Sequence, residues 1–309
     1  KVYPDRDVSA GELADAANKK LKGKSGSKKE AVETDDQEQA FRREEYVLFG
    51  KDIHEGYPKT NLLIRSENMS DYESIISDNF SRISLVHKLR ETRAFIGFSR
   101  IFPQDNLSDK QRTRLIAKEK KDWLPAVIVR GEGIFLQINE VRLSAWEKQL
   151  SNQLDERLAT LQAVYDDVRV RRNQDPRPIT PRFVLLHTLS HLLINQLVYE
   201  CGYGSASLRE RLYCADGEHP MAGILIYTAA GDSEGTMGGL VRMGKPGKLE
   251  AVMKRAIENA NWCSTDPVCI ESAGQGPDNC NLAACHSCAL LPETSCEEQN
   301  RLLDRGVVV

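Results

Sequence analysis

Cysteines near the end of this 309-residue chain are the residues with the clearest chemistry. Six of the eight cysteines fall between positions 262 and 305, namely Cys263, Cys269, Cys280, Cys285, Cys288 and Cys296. Zinc takes four ligands and prefers sulfur and imidazole, and the two residues between Cys285 and Cys288 let both thiolates reach one ion from a tight turn. The pattern therefore predicts one structural zinc ion, with a disulfide framework or a redox pair as the alternative.

The predicted ligand set combines this close pair with one cysteine on either side. We expect the four ligands to be Cys269, Cys285, Cys288 and Cys296. The alternates are Cys263 and Cys280, and the simpler interpretation of both is a buried, small apolar side chain. Four protein ligands leave no open position for water, so the predicted ion stabilises the fold and does not catalyse a reaction.

Two histidines form a second group with metal-binding spacing. His187 and His191 are four residues apart in F-V-L-L-H-T-L-S-H-L-L-I, which places them on one face of a helix. With Asp232 and Glu234, in a glycine-rich loop after a predicted strand, they could form the metal site of a nuclease or other hydrolase. The glutamate of the zinc-protease motif H-E-x-x-H is missing. Two core histidines that hydrogen-bond to their neighbours are the simpler interpretation.

The composition is that of a soluble globular protein, with 40% hydrophobic residues, 28% charged residues and a net charge of -3. No apolar run is long enough to span a bilayer and no signal segment is recognisable, so we expect no membrane association and a reducing cytoplasm. The near-neutral charge means that DNA binding would need a local basic surface. The basic run at 107–121 could supply one, or could be a solvated helix or loop. Because the first residue is lysine, we expect a fragment.

Three regions are predicted along the chain. Residues 1–60 form a polar, partly flexible segment, and residues 61–175 contain a helix, a β-hairpin and a long amphipathic helix. Residues 176–309 form an α/β core that ends in the zinc-binding cysteine module at about 262–305. The prolines between 173 and 181 mark the clearest boundary. Gly23-Lys24-Ser25 lacks the upstream glycine and the preceding strand that a phosphate loop requires.

Hydrophobic spacing of three to four residues predicts six helices. They cover the segments 37–46, 83–96, 141–172, 183–201, 205–213 and 248–260. Runs of β-branched and aromatic residues predict strands at 62–65 and 223–229, and a hairpin of W-L-P-A-V-I-V-R and I-F-L-Q-I-N around a turn at Gly131-Glu132-Gly133. We interpret Glu132 as structural. The predicted fold is α+β, with a mixed sheet, long covering helices and a C-terminal zinc-binding module with four cysteine ligands.

Ordered blocks between about Ile83 and Arg305 resemble the DrmB family of the DISARM antiphage defence system. They include L-L-H-T-L-S-H-L-L-I, C-G-Y-G-S-A-S-L-R-E-R-L-Y, L-I-Y-T-A-A-G-D-S-E-G-T-M-G-G-L-V and A-C-H-S-C-A-L-L-P-E-T-S-C. The cysteine-rich block more distantly resembles the zinc-binding C-terminal domain of MrfA-type DNA repair helicases.

The resemblance implies a non-catalytic subunit that associates with a helicase-like ATPase, DrmA, and helps bind phage DNA in the bacterial cytoplasm as part of a hetero-oligomer. The sequence contains no G-x-x-x-x-G-K-[ST] and no D-E-x-H motif, so the ATPase is expected to be another chain. Two further hypotheses are the hydrolase built on His187, His191, Asp232 and Glu234, and an interaction scaffold that never touches DNA.

Overall fold

The computed structural model describes residues 28–54, 61–95, 123, 125–172, 174, 176–228 and 238–309, with side chains in the first helix from residue 38 onward. The helices are α1 (Lys28–Phe49), α2 (Ser74–Ser77), α3 (Glu140–Gln149), α4 (Ser151–Arg171), α5 (Pro181–Cys201), α6 (Gly239–Met243) and α7 (Leu249–Ala260). The strands are β1 (Leu63–Ser66), β2 (Phe80–Ala94), β3 (Ala126–Ile138), β4 (Leu208–Ala215) and β5 (Met221–Thr228).

The five strands form one sheet in the order β1-β2-β3-β5-β4. The predicted α+β class, with covering helices and a C-terminal cysteine module, is confirmed. We expected a mixed sheet, but every neighbouring pair is antiparallel. Parallel neighbours need a long crossover connection, whereas β1–β2, β2–β3 and β4–β5 are consecutive strands that return beside each other. The sheet joins the regions predicted at 61–175 and 176–309, whose boundaries stay a prediction.

Both faces of the sheet are covered where β5 runs through it. Ile224 and Ile226 of β5 belong to the large core that includes residues of α3 to α7, whereas Leu225 packs in a second core with Phe49 of α1. All eight residues of β5 are buried, as expected for a strand that has packed layers on both sides. Polar side chains on the neighbouring strands β3 and β4 can therefore also be buried beneath these layers.

The central helix α5 lies against β4, β5 and α7. It begins at Pro181, which needs no N–H donor there, and the Thr180 side chain accepts a hydrogen bond from the backbone N–H of Phe183. It ends at Gly202, whose φ of 70° lies in the left-handed region that glycine adopts without strain. The helix predicted at 183–201 is confirmed.

Two segments that we predicted as helices are strands. In β2, Ile83, Val86 and Leu89 have helical spacing, but a register shift between Val86 and Leu89 interrupts the alternation that marks a strand. In β4, Leu208 and Leu212 are buried together with Glu210 between them. A carboxylate at an inward position hid the two-residue period of this strand.

The predicted hairpin at Gly131-Glu132-Gly133 is wrong, because both runs belong to the single strand β3. The glycines allow close approach of β5, and a Cβ at Gly131 would lie 2.4 Å from the carbonyl oxygen of Thr228. Glu132 is buried within the strand, and its carboxylate accepts hydrogen bonds from the backbone N–H groups of Gly238 and Leu240. The carboxylate thereby fixes the start of α6.

Other predicted elements differ less. The long helix at 141–172 is divided into α3 and α4 at Leu150, which has φ -106° and ψ 11°. The helices at 37–46 and 248–260 and the strands at 62–65 and 223–229 are present as α1, α7, β1 and β5. Residues 1–27, with Gly23-Lys24-Ser25, and the basic run at 107–121 lie outside the described residues.

Within the described ranges, none of the helices combines the length and the apolar character needed to cross a membrane.

Replacing Gly131 with alanine should lower the free energy of unfolding by about 1–3 kcal/mol, because the new methyl group would overlap the β5 backbone. Chemical denaturation measures this change. Gly50→Ala is the control, since its Cβ would meet no atom closer than 3.4 Å, and it should change the free energy by less than about 0.5 kcal/mol. Equal losses in the two variants would contradict the close approach of β3 and β5.

Candidate metal centre

The tail at 261–309 consists largely of turns and bends, yet most of its cysteines are buried. Among the described residues, two groups of side chains have the composition and spacing of a metal site. The first, which we call the four-cysteine cluster, comprises Cys263, Cys269, Cys285 and Cys288. The second includes Cys296 and lies elsewhere against helix α5.

The sulfur atoms of the four-cysteine cluster are spaced as around one ion. Sγ of Cys285 lies 3.5 Å from that of Cys263 and 3.8 Å from that of Cys288, and Cys269 and Cys288 are 3.8 Å apart. Zinc–sulfur bonds of about 2.3 Å separate tetrahedral sulfur ligands by about 3.8 Å. A disulfide would require about 2.05 Å. The distances therefore fit a shared zinc ion.

Local hydrogen bonds shape the turn that carries two of the sulfurs. The backbone N–H groups of Cys288 and Ala289 donate to the carbonyl oxygen of Cys285, and the N–H of Cys285 donates to Sγ of Cys288 at 3.2 Å. This is the tight turn that the x-x spacing predicted. Cys263 is fixed differently, by the donation of its N–H to the carboxylate of Asp266 at 2.8 Å.

The thiols of the cluster differ in acidity. Burial raises the pKa of Cys285, but hydrogen bonds from Thr265 and the backbone of Ser287 outweigh this effect and lower that pKa to about 6. Burial dominates at Cys288 and raises the pKa of its thiol. Because the thiolate is the form that binds metal, the lowered pKa of Cys285 favours metal binding at this sulfur.

Buried charges attach the cluster to the body of the protein. Arg305 is fully buried, forms an ion pair with Asp266 and donates to the carbonyl oxygen of Ala260 at the end of α7. Arg157 of α4 donates to the buried carboxylate of Asp304. Removing one partner of such a pair leaves an uncompensated charge, so these contacts make the position of the tail specific.

The structure groups the cysteines differently from the predicted set. Cys269, Cys285 and Cys288 lie together as expected, but the fourth sulfur beside them is that of Cys263, which we had kept as an alternate. Sγ of Cys296 lies 3.2 Å from Nε2 of His187 instead. Cys280 is fully buried in the large apolar core, as the simpler interpretation predicted.

The predicted histidine pair has two neighbours that we did not predict. His187 and His191 are fully buried on α5 and lie close to Glu210 and Cys296. The two acidic residues that we had grouped with them, Asp232 and Glu234, lie outside the described residues. Sequence reasoning missed Glu210, although its place between Leu208 and Leu212 was an available signal of an inward-facing carboxylate.

Comparison with known proteins places the four-cysteine cluster in a defined domain. The model of the MrfA Zn-binding domain matches residues 189–289, a span that contains all four cysteines of the cluster and stops before Cys296. The four-cysteine cluster therefore fits a structural zinc on both its geometry and its family match.

The whole chain is similar to the DISARM protein DrmB of Bacillus paralicheniformis, with 33% identity over 320 residues. The alignment covers 100% of this chain and 54% of that protein, so the chain spans about half the length of this curated relative. The resemblance that the sequence blocks predicted is confirmed.

Replacing Cys285 with alanine should remove one zinc ion per chain and lower the melting temperature, because structural zinc supplies on the order of 10 kcal/mol of folding free energy in small zinc domains. Inductively coupled plasma mass spectrometry and thermal unfolding measure the two effects. Cys201→Ala, at a half-buried cysteine outside both groups, is the control and should retain full zinc content. Unchanged zinc in Cys285→Ala would contradict the assignment.

Proposed function

Since the chain is a relative of the DISARM protein DrmB, we propose that it is a zinc-containing subunit of a DISARM antiphage defence system. The observation that carries this proposal is the similarity to that protein across the entire chain. The zinc of the four-cysteine cluster has a structural role in it, because four cysteine ligands leave no position for a reacting water. Zinc bound by reduced thiols suits the bacterial cytoplasm, where we place the subunit.

The subunit acts, in this proposal, as a non-catalytic partner of a DrmA-like helicase ATPase. Support comes from the sequence, which contains neither a phosphate-loop motif nor a D-E-x-H motif. ATP hydrolysis is therefore assigned to the other subunit, and the two form a hetero-oligomer.

DNA binding is the second part of the role. Because the net charge is -3, attraction to phosphate must come from a local surface. The run D-K-Q-R-T-R-L-I-A-K-E-K-K-D at 109–122 concentrates cations in the sequence, and we assign the phosphate contacts to it. Such contacts bind DNA without reading its sequence, and their strength falls as salt rises.

We expect the chain to form a one-to-one complex with a DrmA-like ATPase, visible by native mass spectrometry, and the complex to bind DNA with a salt-dependent affinity. Lys118→Gln, Lys120→Gln and Lys121→Gln, combined, should reduce the slope of log affinity against log salt by about 2 to 3, since each lost phosphate contact contributes about 0.7–0.9. Fluorescence anisotropy across a salt series measures the slope.

The charge-matched control replaces Lys51, Lys245 and Lys248, which are exposed, with glutamine. An equal loss of slope in both variants would contradict the assignment to residues 109–122. The absence of any DNA binding by a complex that does form would favour an interaction scaffold, and the absence of a complex would contradict the proposed partnership.

A further inference from the structure

A second group of donor atoms is enclosed where helix α5, strand β4 and the tail meet. His187 and His191 lie one turn apart on α5, Glu210 lies on β4, and Cys296 belongs to the tail. One donor atom of each lies within 4.8 Å of all the others. Both histidines have 0% exposure, and Glu210 and Cys296 are also buried.

The separations between these atoms resemble those around a tetrahedral ion. Nε2 of His187 lies 3.2 Å from Sγ of Cys296 and 3.2 Å from Oε1 of Glu210, and Nε2 of His191 lies 3.5 Å from the same oxygen. Zinc bonds of about 2.0–2.3 Å place adjacent nitrogen, oxygen and sulfur ligands about 3.3–3.6 Å apart. The four side chains are therefore arranged around the volume that one ion would fill.

One of the histidines is oriented by a hydrogen bond outside the group. Nδ1 of His191 donates to the carbonyl oxygen of Ala289 at 2.7 Å, so its other ring nitrogen, Nε2, faces the group. That Nε2 atom and Oε2 of Glu210 are buried without a hydrogen-bond partner among the described residues. A cation bound by the group would satisfy both atoms.

The backbone of the tail supports the two anionic donors. The N–H groups of Glu298 and Asn300 donate to Sγ of Cys296 at 3.3 and 3.1 Å, and the N–H of Glu297 donates to Oε1 of Glu210 at 3.0 Å. These bonds favour a thiolate and orient the carboxylate, as outer contacts do around metal ligands.

We propose that His187, His191, Glu210 and Cys296 bind a second zinc ion, separate from that of the four-cysteine cluster. Imidazole, carboxylate and thiolate are all zinc ligands, and the mixture of nitrogen, oxygen and sulfur suits this ion. Four protein ligands close the site, so the ion is structural. It joins the central helix, the edge of the sheet and the tail at one point.

The full-length wild-type protein tests the proposal directly. We expect two zinc ions per chain by inductively coupled plasma mass spectrometry. Zinc K-edge absorption spectroscopy should show a mixed ligand shell, with five sulfur donors and three nitrogen or oxygen donors among eight. One zinc per chain with an all-sulfur shell would overturn the proposal. The wild-type protein alone is sufficient for this measurement.

Variants then separate the two ions. His191→Gln should bind one zinc with an all-sulfur shell, and Cys269→Ser combined with Cys288→Ser should retain one zinc with a shell dominated by nitrogen and oxygen. His219→Gln, at an exposed histidine, is the control and should keep both ions. Two zinc ions in folded His191→Gln would contradict the site.

The site also predicts where the protein loosens when the second ion is lost. In His191→Gln, hydrogen exchange should accelerate at the N–H groups of Glu210 and Glu297, which bond to the tail and to the ligand carboxylate respectively. The turn at 285–289 should remain protected because the ion of the four-cysteine cluster is retained. Equal acceleration at these N–H groups and in the turn at 285–289 would indicate general destabilisation. It would contradict a local stabilising role of the second ion.

Discussion

The tail at 261–309 must keep one shape with almost no regular secondary structure. Its repeating elements are two short 3-10 turns, Pro277–Asn279 and Arg305–Val307, so its buried backbone groups cannot be paired by a helix or a sheet ladder. They are paired individually instead: the Asn281 side chain accepts from the N–H of Leu303 and donates to the carbonyl oxygen of Asn300. Bonds from four thiolates to one ion supply the constraint that such scattered contacts lack.

Features with local causes could be predicted from the sequence. The pair Cys285 and Cys288 indicated a metal turn because both sulfurs come from one tight segment. Helix α5 was recognisable from its apolar run, which stops at Gly202. The strand at Gly223 was clear because both of its faces are apolar. In each case the residues that indicate the element belong to the element itself, within about twenty residues of sequence.

Features that depend on distant contacts could not be predicted in this way. Glu132 and Glu210 point into the protein and contact partners far along the chain, which the local sequence does not reveal. The segment around Glu132 therefore resembled a turn, and the segment around Glu210 resembled a helix. The fourth cysteine of the cluster, Cys263 rather than Cys296, could not be predicted for the same reason. Which of the two lies beside the other three depends on how the tail folds, and this irregular segment has no periodicity that would indicate it.

The long connection between α5 and the tail also affects how the protein is made. His187 and Cys296 are 109 residues apart, so at about 5–20 residues per second the ribosome delivers the cysteine roughly 5–20 seconds after the helix. Leu302 and Val307, which belong to the same apolar core as α5, arrive later still. During that interval the apolar core around α5 lacks the contacts that these two side chains make in the finished protein.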